Sequence, residues 1–154
     1  MAQTNDDQLK AKVDAYVDEV WEDVVKDIRT LVRIESVENL SAAEPGKPYG
    51  PKANEALVAA EGIASRLGLA VTDLDGRIGY GEVVGREGAP YVATIAHSDI
   101  VPVGLGWTVP ALDVTRREGY LMGRGVLDDK GPLILSLWAA HFFARQVKET
   151  GEPL

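Results

Sequence analysis

The sequence predicts an α/β fold, in which helices cover a partly parallel β-sheet. Three segments with helical periodicity are separated by short strand-like segments. One of the latter, residues 91–96, is a continuous apolar run typical of a strand that is buried on both faces. The predicted order is helix, helix, three strands, hairpin and helix, which favours a layered arrangement with one sheet.

The first two predicted helices cover residues 7–34 and 53–67. In the first, apolar side chains recur at steps of three and four residues, and the acidic residues fall mostly on the opposite, solvated side. The apolar set is Val13, Val17, Val20, Trp21, Val24, Ile28, Leu31 and Val32. Gly68 stands where a C-terminal glycine cap of the second helix is expected.

Residues 38–52, between these helices, are predicted to form a loop because three prolines and two glycines interrupt them. A loop of this length in a compact domain is typical of a functional or a mobile segment. Both interpretations remain open at this point.

Strands are predicted at residues 69–74, 78–84 and 91–96, and the last would place His97 at its C-terminal end. Residues 112–115 and 120–123 are expected to pair as a hairpin around a turn at Glu118 and Gly119. A third helix is predicted at residues 131–148, and its many apolar side chains imply burial.

Composition excludes several classes of function. The chain of 154 residues has 24 acidic and 16 basic residues and a net charge of −8, which argues against nucleic-acid and anionic-membrane partners. It contains no cysteine, so a metal ion would have to be bound by histidines and carboxylates. Neither a signal peptide nor a membrane-spanning run is evident, and a cytoplasmic location is predicted.

His97 and Asp99 are the first candidate site residues. Because they are two residues apart on a predicted strand, their side chains should leave the same face. A carboxylate beside an imidazole can accept its N–H, fix its tautomer and leave the other nitrogen for a metal ion. The alternative is a hydrogen-bonded pair without a metal.

Asp128 and Asp129 are the second candidate pair, immediately before the third predicted helix. A carboxylate there could be a helix N-cap, which is the simpler interpretation. Strand ends and helix starts are nevertheless where α/β proteins place their sites.

Taken together, the motifs resemble one known family. HSDIVP at residues 97–102 is followed by Trp107, Pro110 and GRGVLDDKGP at residues 123–132. This order is similar to that of the co-catalytic zinc hydrolases that include carboxypeptidase G, aminoacylase, succinyl-diaminopimelate desuccinylase and the PepV-type dipeptidases. The DDKGP run and the residues 49–51 (YGP) are most similar to the PepV type, and LVRIESV at residues 31–37 resembles that family's opening segment.

The resemblance implies a fold, a cofactor and a role for each site residue. The fold would be a three-layer α/β/α (phosphorylase/hydrolase-like) catalytic domain with a mixed sheet and a hairpin. His97 would bind one zinc ion, Asp128 would bridge two ions, and Asp99 would orient His97 in catalysis. The peptide bond between Asp128 and Asp129 would be cis. Mn²⁺ or Co²⁺ could replace Zn²⁺, and a small peptide would be the substrate.

Further implications concern residues outside the ligand set. Asp129 would not bind metal, and Arg124 and Lys130 would be structural. Ala111, Leu112 and Met122 depart from the family pattern at positions that are not ligands. His141 lies far along the third predicted helix and is interpreted as a core or partly exposed residue.

The number of ligands is the main departure from the family pattern. Later family motifs supply a general-base glutamate, further acidic ligands and a final histidine, and none of these can be placed in this sequence. Residues 1–154 are therefore expected to be the N-terminal portion of the catalytic domain, without the lid and dimerisation domain. The apolar third helix would then be exposed, unless self-association or a missing C-terminal segment covers it.

Two classes of function remain at the sequence level. The first is a metal-dependent dipeptidase, of which this chain supplies part of a dinuclear site and is inactive alone; another amidohydrolase, such as a deacylase, desuccinylase or carboxypeptidase, is the alternative. The second is a non-catalytic fragment that acts as a binding or scaffold module.

Overall fold

The chain forms a small mixed α/β domain, which confirms the predicted class. The computed structural model describes residues 5–83, 85–88 and 90–151. In chain order its elements are α1 (Asn5–Val32), a short 3-10 helix (Leu40–Ala42), α2 (Pro51–Arg66), β1 (Ala70–Leu74), β2 (Ile78–Glu82), β3 (Thr115–Arg117), β4 (Tyr120–Met122) and α3 (Lys130–Thr150). The three helices lie where the periodicity of the sequence predicts them. The three-layer arrangement remains a prediction.

The core lies between the three helices. It forms because each helix presents one apolar stripe, and burial of these stripes removes apolar surface from water. Its helical members include Tyr16, Val20, Val24, Ile28 and Leu31 of α1, Ala60, Ile63 and Ala64 of α2, and Ile134, Trp138 and Phe142 of α3.

One buried carboxylate joins all three helices. Asp27 of α1 accepts hydrogen bonds of 2.7 and 2.6 Å from the Arg66 guanidinium of α2. It also accepts a bond of 2.9 Å from the indole N–H of Trp138 in α3. A charge buried in this way is tolerated because its oxygens are paired, and the bonds fix the relative positions of the helices.

The loop between α1 and α2 is ordered by backbone hydrogen bonds. Asn39 N–H donates to the Tyr49 carbonyl at 2.9 Å, which closes the loop at its base. Gly50 has a φ of 92°, and a Cβ there would lie 2.8 Å from the Asn39 carbonyl oxygen. Pro51 then begins α2 at a position that requires no N–H donor. At the other end of α2, Gly68 has a φ of 84°, as predicted for a C-terminal glycine.

Both sheets are antiparallel two-stranded hairpins, β1 with β2 and β3 with β4. In the β3–β4 turn, Glu118 and Gly119 have φ values of 52° and 83°, which suits a two-residue hairpin turn. The predicted strand at residues 78–84 is present as far as Glu82, and its last residue, Val84, lies outside the described residues. The prediction of a partly parallel sheet is wrong for the described residues, because neither hairpin pairs with a parallel strand.

The predicted buried strand at residues 91–96 is also wrong for this structure. These residues have no regular secondary structure, and the side chains of Tyr91, Val92 and Ile95 are 80%, 97% and 98% exposed. A strand obtains its backbone hydrogen bonds from neighbouring strands. None of the four described strands pairs with this segment, so its apolar composition alone does not produce a strand.

Apolar side chains also remain exposed on the helices. A groove of about 260 Å³ between α1 and α3 is lined by residues that include Val13, Val17, Leu135 and Phe143. Each of these four is partly exposed, as expected for an apolar helix face that is not fully covered. In the described part of the chain, no helix combines the length and the apolar character needed to cross a bilayer.

Candidate metal centre

His97 lies in an extended segment that is anchored by Ser36. The Ser36 hydroxyl donates to the Ser98 carbonyl at 2.8 Å, and Ile100 N–H donates to the Ser36 carbonyl at 3.2 Å. Ser36 and Ile100 are both buried. The chain from residue 98 to residue 100 is therefore fixed although it belongs to no strand.

Asp128 lies at the end of the turn that precedes α3. Gly125 in this turn has a φ of 86°, a conformation that favours glycine. The peptide bond between Asp128 and Asp129 is cis, as predicted. Asp129 is the N-cap residue of α3, but its side chain makes no capping hydrogen bond. Its Oδ2 instead accepts the backbone N–H of His97 at 3.1 Å, which connects the two parts of the site.

The structure brings the three predicted site residues together. His97 Nε2 is 3.1 Å from Asp128 Oδ1, and His97 Nδ1 is 3.1 Å from Asp99 Oδ1 and 3.2 Å from the Asp99 carbonyl. The side chain of His97 is 50% exposed and that of Asp128 is 87% exposed. The imidazole is thus held between two carboxylates at a surface that solvent reaches.

The charges around His97 favour its protonated form. Burial by itself would lower the pKa of His97, but the hydrogen bond to Asp128 and the negative charge of Asp99 outweigh it. The pKa of His97 is therefore raised above its ordinary value. An acceptor at each ring nitrogen also fixes the orientation of the ring.

The side chains of the site are of the kind that binds zinc, but they are too few for a complete catalytic zinc site. An imidazole nitrogen and a carboxylate oxygen are both zinc ligands, and a catalytic zinc takes three ligands from protein. Within residues 5–83, 85–88 and 90–151, no group of three or more His, Cys, Asp or Glu side chains could hold a metal ion. His97 and Asp128 thus fit as two ligands of a site, with Asp99 behind the histidine, and their roles toward metal remain a prediction.

Lys130 and Arg124 bond to backbone carbonyls, in keeping with the structural role expected of them. Lys130 is fully buried, and its ammonium donates to the carbonyls of Leu31 and Ile34 at 2.8 and 2.7 Å. Burial lowers the pKa of Lys130 to about 8. Arg124 donates to the Val103 carbonyl at 3.1 Å and lies over the Trp107 ring.

His141 is partly exposed and packs against Tyr16 and Trp138 of the helical core, which agrees with the prediction of a core or partly exposed residue. Its Nδ1 is 2.8 Å from the Tyr16 hydroxyl oxygen, which also donates to the Trp138 carbonyl. Burial lowers the pKa of His141. These contacts account for His141 without a role at the candidate site.

Sequence reasoning missed the part that Ser36 plays. The residue stands in the segment 31–37, which was noticed only for its resemblance to a family opening. Its contact with Ser98 joins positions 62 residues apart, and a serine–carbonyl hydrogen bond leaves no periodic signal in a sequence. Complete burial of a serine is the structural feature that reveals it.

Comparison with known proteins gives relatives but no family model. No family model matches the chain. It is 35% identical over 133 residues to "Putative dipeptidase YtjP" of Bacillus subtilis, a match that covers 86% of this chain and 27% of that protein. It is also 35% identical over 133 residues to "Putative dipeptidase SACOL1801" of Staphylococcus aureus, with 84% and 26% covered. The chain thus spans about a quarter of the length of the curated relatives it matches.

Proposed function

We propose that this chain is part of a metal-dependent dipeptidase and contributes His97 and Asp128 as metal ligands. The observation that carries the proposal is the convergence of His97 Nε2 and Asp128 Oδ1 to 3.1 Å from positions 31 residues apart. The similarity to proteins that are named as dipeptidases supports the reaction class. Both motifs lie within the described residues.

Each of the three residues has a distinct part in this proposal. The Asp99 carbonyl accepts the Nδ1 proton of His97 and the Asp99 carboxylate lies 3.1 Å from the same nitrogen, which orients the ring and leaves Nε2 as the ligand atom. Asp128 presents an exposed carboxylate beside Nε2 and so adds an oxygen ligand. Bound zinc would act as a Lewis acid and lower the pKa of a coordinated water. The proposal allows Mn²⁺ or Co²⁺ in place of Zn²⁺. It also includes a second metal ion and ligands beyond His97 and Asp128.

The test uses the longest natural polypeptide that contains this sequence, assayed with alanyl-alanine in the presence of Zn²⁺, Mn²⁺ or Co²⁺. Hydrolysis should depend on metal, and His97→Ala should reduce it by more than about 100-fold because a ligand is lost. Asp99→Asn should reduce it by about 10–100-fold, since the histidine remains but loses its orienting carboxylate. Hydrolysis that resists a chelator, or that is unchanged in His97→Ala, would contradict the proposal.

The chain provides a matched control, because it has only two histidines. His141→Gln removes an imidazole from the helical core and should leave hydrolysis unchanged. Hydrolysis of acetyl-alanine or succinyl amino acids in preference to the dipeptide would favour the alternative, another amidohydrolase such as a deacylase or desuccinylase.

The donor count favours one second candidate function. Two ligands suffice for a binding module without turnover, whereas a catalytic zinc takes three from protein. Under this alternative the long polypeptide would bind zinc through His97 but hydrolyse none of these substrates. The same assay, with zinc content measured in parallel, therefore separates the two candidates.

A further inference from the structure

The segment at residues 31–36, which comprises the last two residues of α1 and the four that follow, touches both parts of the candidate site. Leu31 and Val32 are fully buried, as is Ser36. Backbone hydrogen bonds from Ile34 N–H to the Leu31 carbonyl and from Ser36 N–H to the Ile34 carbonyl close two tight turns. We call residues 31–36 the support segment. Its three buried side chains and its internal hydrogen bonds fix this segment against the core, although Arg33 and Glu35 are exposed.

Ser36 connects the support segment to the part of the site that carries His97. Two of the hydrogen bonds of Ser36, to the Ser98 carbonyl and from Ile100 N–H, lie on either side of Asp99. Ile100 is the only buried residue in the stretch 90–110, which the structure describes throughout. The chain next to His97 is therefore anchored to the support segment through Ser36.

Lys130 connects the same segment to the part of the site that carries Asp128. Its ammonium bonds to the Leu31 carbonyl near the C-terminal end of α1 and to the Ile34 carbonyl just beyond it, where the helix dipole favours a positive charge. A Cβ at Gly125 would lie 3.2 Å from Lys130 Cδ and 3.0 Å from Ile100 Cγ2. The Lys130 stem and the Ile100 side chain therefore meet at the turn that leads to Asp128.

We infer that Ser36 and Lys130 are positioning residues that set the separation between His97 and Asp128 by tying both to the support segment. The hydrogen bonds of the Ser36 hydroxyl and the Lys130 ammonium go to backbone carbonyls and not to the side chains of His97 or Asp128. The use of this separation to bind metal rests on the proposed function, whereas the positioning itself does not. The hydrogen bond from His97 N–H to Asp129 Oδ2 spans the two parts and so reports on their separation.

The test is amide hydrogen exchange of His97, measured by NMR on the whole chain in the presence of a chelator. Ser36→Ala removes the bond to Ser98, and Lys130→Met removes the bonds to Leu31 and Ile34 while it keeps the length of the stem. Each variant should speed exchange at His97 about tenfold, although neither residue contacts that amide. A purely structural role would change global exchange without this local effect.

Tyr16→Phe is the matched control, because it removes a buried hydrogen bond to the Trp138 carbonyl outside the site. It should lower stability and leave exchange at His97 unchanged after correction for global exchange, read from the amide of Val25 in α1. Unchanged His97 exchange in both site variants, or equal acceleration in Tyr16→Phe, would overturn the inference. Should Lys130→Met fail to fold, the Ser36→Ala result decides alone.

Zinc titration of the longest natural polypeptide that contains this sequence, without chelator, keeps this inference distinct from the proposed function. Acceleration at His97 in Ser36→Ala and Lys130→Met, with no zinc bound by the long polypeptide, would refute the metal proposal and uphold the positioning. Zinc binding that is lost in His97→Ala would support the metal proposal. If exchange of the His97 amide is at the same time unchanged in Ser36→Ala and Lys130→Met, the positioning inference would be refuted.

Discussion

The helical core and the segment 91–96 differ in whether they bury apolar side chains, as one isoleucine in each shows. Ile134 of α3 is fully buried in the helical core, whereas Ile95 in the segment 91–96 is 98% exposed. Both stand in apolar runs of the sequence. A helix satisfies its own backbone and needs only a surface to pack against, whereas a strand needs neighbouring strands for its hydrogen bonds. An apolar run therefore predicts burial only where its backbone partners are present.

The candidate site joins these two regions. Asp128 precedes the first residue of α3 by two positions, and His97 directly follows the exposed segment. The helical side is anchored by a buried lysine, and the exposed side is anchored by the hydrogen bonds of one serine. The two regions thus differ in how firmly they hold the residue that each contributes.

The largest expected effect tests the contrast between the isoleucines. Ile134→Ala should lower the free energy of unfolding by about 2–5 kcal/mol, because it leaves a cavity in the core. Ile95→Ala should change it by no more than about 0.5 kcal/mol, because the side chain contacts little. Urea unfolding, followed by circular dichroism, measures both. A large loss of unfolding free energy in Ile95→Ala would show that residues 91–96 are packed in solution. The contrast between Ile134 and Ile95 would then be lost.

A smaller effect concerns the pH dependence of stability in the core. The pKa of His141 is lowered by burial and by the positive charges of Arg145 and Arg66, and Glu19 opposes this shift. Its other close neighbour is the hydroxyl of Tyr16. Protonation of His141 is disfavoured in the folded state. The stabilising contribution of neutral His141 is therefore complete above its unfolded pKa of about 6.5 and is lost as the pH falls through its folded-state pKa.

The measurement is the thermal midpoint between pH 7.5 and pH 5.5, in buffer with a chelator. His141→Gln should flatten the acid loss of stability relative to the wild-type chain, since glutamine keeps a polar group near Tyr16 and does not titrate. An identical slope in the variant would show that His141 is solvated like an ordinary surface histidine.

Sequence reasoning found the elements whose cause is local. The three helices follow from apolar side chains at helical spacing, and the turn of the β3–β4 hairpin follows from its glycine. The first strand of this hairpin is Thr115–Arg117, so its predicted range of 112–115 is wrong except at Thr115. The strand at residues 91–96 could not be judged in this way, because strand formation depends on residues distant in sequence. Ordered motifs predict His97, Asp99 and Asp128 as site residues, and the structure places the three side chains close together. Ser36 was missed because its hydrogen bonds to backbone groups leave no pattern of spacing.

A calorimetric titration of the 154-residue chain with Zn²⁺ tests most directly whether His97 and Asp128 form two ligands of one metal site. We expect one ion per chain, with binding lost in His97→Ala and in Asp128→Ala and retained in His141→Gln. Binding that persists unchanged in His97→Ala, or absence of zinc binding by the longest natural polypeptide that contains this sequence, would contradict the metal centre proposed for this protein.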